Sequence, residues 1–179
     1  MGDGLRANFA LEQGINPDTG TQADAARQFN RMAWVGLASS TLGEVRLGRQ
    51  TSPMFFTEGQ IDAFFGASIA SGLNNLSLYA VRQDKVLSYL SPTVLGGLST
   101  ELYYARPTTG AGLTGKSFQA ALRYSAGPVY LAAVHQKVDT TAAGTSALEA
   151  TYLGGHYTQG TFTYYIALHQ AKQIGRAHV

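Results

Sequence analysis

Three of the four histidines, His135, His156 and His169, fall in stretches that alternate polar and apolar residues. An imidazole in such a place can act as a general base if a carboxylate or a serine stands beside it. No motif supplies that neighbour. The chain has no G-x-S-x-G, no H-E-x-x-H and no Walker pattern. "GLSTELYYA" and "GGHYTQG" carry glycine at strand ends, not in phosphate-cradling loops. Cysteine is absent, which excludes a disulfide framework and a thiolate metal site. No metal and no cofactor is expected, and the three histidines read as polar wall residues. The chemistry that remains is electrostatic. In "GEVRLGRQ", Glu44 and Arg46 point one way, and Val45 and Leu47 the other.

Those charges need strands to hold them. The chain has 179 residues, of which 45% are apolar and only 13% charged, against roughly 25% charged in soluble domains. Glycine (21) and tyrosine (10) are abundant. The net charge of +2 gives no reason to expect nucleic acid. No run reaches the length of a membrane-spanning helix, and "MGDGLRANF" has no apolar signal region. Two classes fit: a soluble all-β domain, or a membrane β-barrel.

The alternation predicts nine strands, at 4–14, 30–39, 43–50, 84–91, 98–106, 116–125, 128–140, 149–158 and 161–173. Helical periodicity is poor except in "TEGQIDAFFGASIA". The connections alternate in length. "STLG", "PTVLGG", "AGP" and "TQG" are short and built of turn residues. The segments around 15–29, 51–83, 107–115 and 140–147 are long and mostly polar. Short turns on one rim and long loops on the other are the layout of an outer-membrane barrel, whereas Greek-key sandwiches do not sort their loops this way. The turn markers Leu95, Gly127 and Gln159 recur every 32 residues. Leu42 lies 53 before Leu95, so the 51–83 loop carries 21 residues beyond one hairpin unit.

Sorting charges by strand phase predicts which face is wet. Arg6, Asn8 and Glu12 oppose Leu5, Phe9 and Leu11, and Arg31 opposes Met32 and Trp34. Glu101 opposes Leu102 and Tyr104, Arg123 opposes Leu122 and Tyr124, and Lys137 opposes Val134 and Val138. Arg49, Lys85, Lys116 and Glu149 break the pattern, all at long-loop ends, where a charge on a lipid face costs least. Phe9, Trp34, Leu47, Leu102, Tyr104, Leu122, Val134, Phe162, Tyr164 and Ile166 are therefore expected on a lipid face. Arg6, Arg31, Arg46, Glu101, Arg123 and Lys137 are expected on a water-filled one. Tyr124, Tyr130, Tyr157 and Phe162 would form an aromatic girdle beside the short turns.

"GDGLRANFALEQGIN", "FNRMAWVGLASSTLGEVRLGRQTSP" and "VRQDKVLSYLSPTVLGGL" resemble blocks of the general diffusion porins of Gram-negative outer membranes. The second block is the most specific. The third departs from the family pattern at Lys85 and Val86. The resemblance covers roughly the first half of the chain, and only the hairpin pattern continues beyond Arg106. It implies an up-and-down transmembrane barrel, present here as an incomplete barrel of about nine strands over 1–173. It also implies small hydrophilic solutes and ions as cargo, a surround of membrane lipid and lipopolysaccharide, and a homotrimer when full length. By the same resemblance, 51–83 is the constriction loop. Arg31, Arg6 and Arg46 form a basic wall, and Glu58 and Asp62 supply the opposite charge. Arg49 and Arg82 anchor the base of the loop. For Asp62, capping a short helix is the other role open.

Matched to the family, the chain reads as an internal fragment, without the first two strands, the signal peptide and the closing strand. Its last six residues, Ile-Gly-Arg-Ala-His-Val, are what ATC-GGA-AGA-GCA-CAC-GTC encodes, a string that looks like a sequencing adapter. Residues 174–179 are accordingly read as a non-native tail. Two other functions stand beside the pore. An outer-membrane barrel hydrolase would use histidine and carboxylate clusters. A soluble β-domain binding ligands or partners would bury the apolar phase.

Overall fold

A computed structural model describes residues 4–66, 68–72, 80–107, 115–139 and 147–174. Nine strands follow one another: β1 (Leu5–Glu12), β2 (Met32–Ser39), β3 (Gly43–Thr51), β4 (Arg82–Leu90), β5 (Leu98–Ala105), β6 (Ser117–Ala126), β7 (Val129–Val138), β8 (Ala147–Gln159) and β9 (Phe162–Ile174). They form one antiparallel sheet in sequence order, without a crossover. The turn chemistry makes this topology local. Gly127 takes φ +55 between β6 and β7, a value open to glycine at little cost, and Pro128 then closes the hairpin in two residues. The predicted boundary at 173/174 falls inside β9, where Ile174 pairs with Ala147. Residues 175–179 lie outside the described residues.

One helix, α1 (Pro53–Ile61), interrupts the meander between β3 and β4. It begins and ends earlier than the helical pattern at 57–70 suggests. Ser52 caps it, accepting a hydrogen bond from the Phe55 N–H at 3.2 Å, and Pro53 opens the first turn, where its missing N–H costs nothing. Asp62 stops it in extended backbone, and Phe65 then turns left-handed at φ +47.

Helix α1 lies on one face of the sheet, over β6–β9; this is the inner face. Its Met54 and Ile61 pack on Ala121, Ala132, Val134, Ala150 and Tyr152, and a second cluster joins Val86, Tyr103 and Ala105 on the same face. The register carries that face across the sheet in one row: Gly36, Arg46, Ser88, Tyr103, Gln119, Gln136 and Ala150. The outer face bears Phe9, Val35, Leu47, Leu122, Phe162, Tyr164 and Ile166, all exposed. Leu102 and Tyr104 are exposed there too.

Four assignments made from phase are corrected. Trp34 is on the inner face: the Arg46 guanidinium carbon lies 4.2 Å from its ring centroid, while Val35 and Leu37 take the outer positions of β2. Val134 is also inner, 1% exposed beneath α1. Tyr130 is inner, stacked on His156. Lys137 is outer, opposite Glu149 near the long-loop end. Inner β7 is apolar because a helix covers it, so an apolar residue there says nothing about lipid. On β2 an aromatic ring is tolerated in a wet wall because a cation stacks on it.

A bulge explains two of the charges that broke the pattern. Between the pairs Gly48–Val86 and Gln50–Gln83, β3 has one residue, Arg49, and β4 has two, Asp84 and Lys85. Lys85 absorbs the extra residue at φ +55, and the phase of β4 reverses there. Gln83 and Val86 are therefore both buried.

Candidate functional site

The long connection 51–83 starts as a closed base. Thr51 pairs with Arg82, and the Ser52 N–H donates to the Val81 carbonyl at 3.0 Å. Inside that base Gln50 is buried. Its amide oxygen accepts from the Ser88 hydroxyl at 2.7 Å, and its carbonyl accepts from the Tyr103 hydroxyl at 3.4 Å. Arg49 ties the base to the preceding long loop, donating to the Asn30 carbonyl at 2.7 Å and pairing with Asp84 at 2.8 Å. Arg27 reaches the same Asp84 at 3.0 Å. Arg82 is half-buried, and its Nε finds no partner among the described residues.

From this base α1 is latched to the wall. The Met54 N–H donates to the Gln119 side-chain oxygen at 3.0 Å, in a site where both residues are fully buried. Arg123 donates from Nε to the Thr57 hydroxyl at 3.2 Å, pairs through Nη1 with Glu101 at 2.8 Å, and holds its guanidinium 5.2 Å from the Phe56 ring. On the far side Glu58 comes within 3.7 Å of His169 Nε2. Asp62 accepts the Phe64 N–H at 2.8 Å and the Ser71 hydroxyl, so it acts as the helix stop. Beyond it a cavity of about 270 Å³ separates the loop from β8 and β9, lined among others by Phe64, Tyr152 and His169.

The basic wall lies on β1–β3. Arg46 stacks on Trp34 and pairs with Glu44 at 2.7 Å; Glu44 also accepts from the Asn8 amide at 3.0 Å. Arg31 precedes β2 and pairs with Glu12. Arg6 forms no ion pair with the described residues. The structure thus groups Arg46 with Glu44, Trp34 and Asn8; Arg6 lies on the same face in the register row of Glu44, while Arg31 pairs with Glu12 at the other end of β1 and β2. Arg31 and Arg46 are both ion-paired. Glu58 is 1% exposed, turned from α1 onto the wall at β8 and β9.

Cross-strand pairing also supplies what the histidine motifs lacked. Glu149 lies 3.5 Å from His135, with Thr151 at 2.8 Å, on the outer face. The latch residues Gln119, Thr57 and His169 were absent from the expected site, and Glu101 and Arg123 were expected only as wall charges. For Gln119, His169, Glu101 and Arg123 the signal was present: polar residues on the inner phase of strands, which needed the helix above them to acquire a role; Thr57 lies on α1 itself.

Comparison with known proteins agrees with this architecture. A family model described as Gram-negative porin matches residues 1–179. An outer membrane porin protein of Bordetella pertussis is 39% identical over 100 residues, covering 54% of this chain and 26% of that relative. The major outer membrane protein P.IB of Neisseria gonorrhoeae is 31% identical over 126 residues, 69% of this chain and 34% of the relative. The chain therefore spans about a quarter to a third of the length of the curated relatives it matches. A solved structure of OmpTdeltaL8, a loop-deletion mutant of an outer membrane protein of Vibrio cholerae, shares the fold. Its TM-score is 0.71 at 16% identity, over 99% of this chain and 59% of that one. With an unbroken antiparallel meander, an apolar outer face and a family match along its whole length, the chain belongs to the Gram-negative porin family of bacterial outer-membrane β-barrel proteins.

Proposed function

We propose that this chain forms part of the wall of a water-filled diffusion pore for ions and small hydrophilic solutes, and that 51–83 is its constriction loop. The observation that carries the reading is the inward lie of α1 over β6–β9, latched to β6 by Gln119 and Arg123, while the opposite face stays apolar. Arg6, Arg31 and Arg46 are the basic side of the narrow point, and Glu58 and Asp62 the acidic side on the loop. A buried carboxylate still contributes field, because charge is poorly screened in a low-dielectric wall. Arg49 and Arg82 hold the base of the loop.

The complete protein sits in outer-membrane lipid and lipopolysaccharide as a homotrimer, and its role is passage, not catalysis. The soluble-domain reading needs the apolar face covered, yet Phe9 is 72% and Ile166 75% exposed. Planar-bilayer recording of the complete porin tests the function. Stepwise ion conductance with no hydrolysis of ester or peptide substrates is the expected result; hydrolysis without conductance refutes it.

A further inference from the structure

We propose that the outer face of β3–β6, at its long-loop end, is a binding site for a phosphate-bearing acyl lipid. Lys85, Arg106 and Lys116 hold the phosphate, and an acyl chain lies in the groove below them. The proposal rests on the reading of this face as lipid-facing and names the lipid class it selects. Lys85, Arg106 and Lys116 are exposed neighbours at the ends of β4, β5 and β6. The Lys85 carbonyl accepts the Arg106 N–H at 3.2 Å, and Lys116 follows opposite Arg106, one step beyond the pair Ala105–Ser117. Like charges side by side on neighbouring strands repel. Lys116 has a counterion, Asp139 at 3.2 Å. Lys85 and Arg106 form no ion pair with the described residues. The other acids near this rim are engaged elsewhere: Asp84 by Arg27 and Arg49, Glu149 by His135.

Below the cations the face turns apolar. The next row along the strands is Leu87, Tyr104 and Phe118, and the one after it Val45, Tyr89 and Leu102. These six side chains wall an outward-facing groove of about 320 Å³. From Lys85 to Tyr89 is four residues, roughly 13 Å of strand at about 3.3 Å per residue, room for a run of acyl carbons. Cations at the head of an apolar groove match an amphiphile with its anion at one end. A phosphate monoester offers several acceptor oxygens and a charge to adjacent cations, and the chain removes the groove's apolar area from water and holds the head in place. A zwitterionic head brings its own cation to the row, and free phosphate leaves the groove unused.

The test puts a reporter in the groove: the complete porin carrying Phe118→Trp as its sole tryptophan, in phosphatidylcholine vesicles doped with brominated-chain phosphatidic acid or brominated-chain phosphatidylcholine. The phosphatidic acid is expected to quench at a mole fraction about fivefold lower. A Phe162→Trp reporter at the short-turn end should show no such preference. Lys85→Gln with Arg106→Gln should abolish the preference, Arg106→Lys should keep it, and excess inorganic phosphate should leave it in place. Potassium chloride conductance of each variant checks folding and the pore reading separately. Equal quenching by the two lipids, equal preference at the Phe162→Trp reporter, or preference surviving the double substitution overturns the site. Loss of preference in inorganic phosphate makes the row a free-phosphate site and overturns the lipid. Quenching by neither lipid means a neighbouring protein covers the groove, and also overturns it. A protein that shows the lipid preference but conducts no salt overturns the pore reading alone.

Discussion

Replacing Arg123 by alanine should release the constriction helix while leaving most of the sheet in place. Three interactions go at once. Glu101 loses its partner at 2.8 Å in a site where both side chains are 13% exposed. Breaking a fully buried pair costs about 3–5 kcal/mol, and partial hydration here brings that to about 2 kcal/mol. The hydrogen bond to Thr57 is worth about 1 kcal/mol. The guanidinium over Phe56 adds about 0.5–1 kcal/mol. The last two belong to the attachment of α1 and total roughly 1.5–2 kcal/mol, a 10- to 30-fold rise in the detached population by the Boltzmann relation. Hydrogen exchange of the micelle-held complete porin reads this out. Protection at the amides of residues 57–61 should fall by about that factor, with β2 and β3 unaffected. Adding Glu101→Gln should recover stability of the wall but not protection of the helix, because the charge left unpaired is removed while the Thr57 and Phe56 contacts stay lost. Unchanged protection over α1 would refute the latch. An equal fall across every strand would refute its local character.

Trp34 should report its face directly. In a complete porin with Trp34 as sole tryptophan, aqueous iodide should quench its fluorescence and brominated acyl chains should not; the reverse places it against lipid. Met54→Ala empties a fully buried site under the helix and should cost about 2–4 kcal/mol, measured by thermal unfolding in detergent. Gly36→Ala would place a methyl 2.8 Å from the Val45 carbonyl and 3.1 Å from Arg46 Cγ. It should lower the unfolding temperature and loosen Arg46 from Trp34. Glu58→Gln with Asp62→Asn should shift reversal potentials in a salt gradient toward anion preference, and Arg46→Ala toward cation preference; no shift in either removes these residues from the constriction.

The meander, its nine strands and the sorting of loops were legible in the residues because they are local. Turn chemistry at "AGP" and "TQG" sets each hairpin without help from the rest of the chain. Phase was legible on β1, β3, β5 and β6, where charge on one side and apolar bulk on the other leave one choice. It failed at Trp34, Tyr130, Val134 and Lys137, and the reason is one of packing partners. Alternation tells two faces apart but does not say what covers each. Only the folded loop covers inner β7, so Val134 reads as lipid-facing until α1 is in place. The bulge opposite Arg49 is invisible to a period-two count, since one extra residue reverses every position beyond it. The site divides the same way. Arginines flanking a long loop could be named from the sequence. That Arg123 and Gln119 hold the helix, that Glu58 turns to the wall and that Arg46 rests on Trp34 depend on residues 12 to 111 positions apart, which meet only when the sheet brings β3, β6 and β9 to the same face.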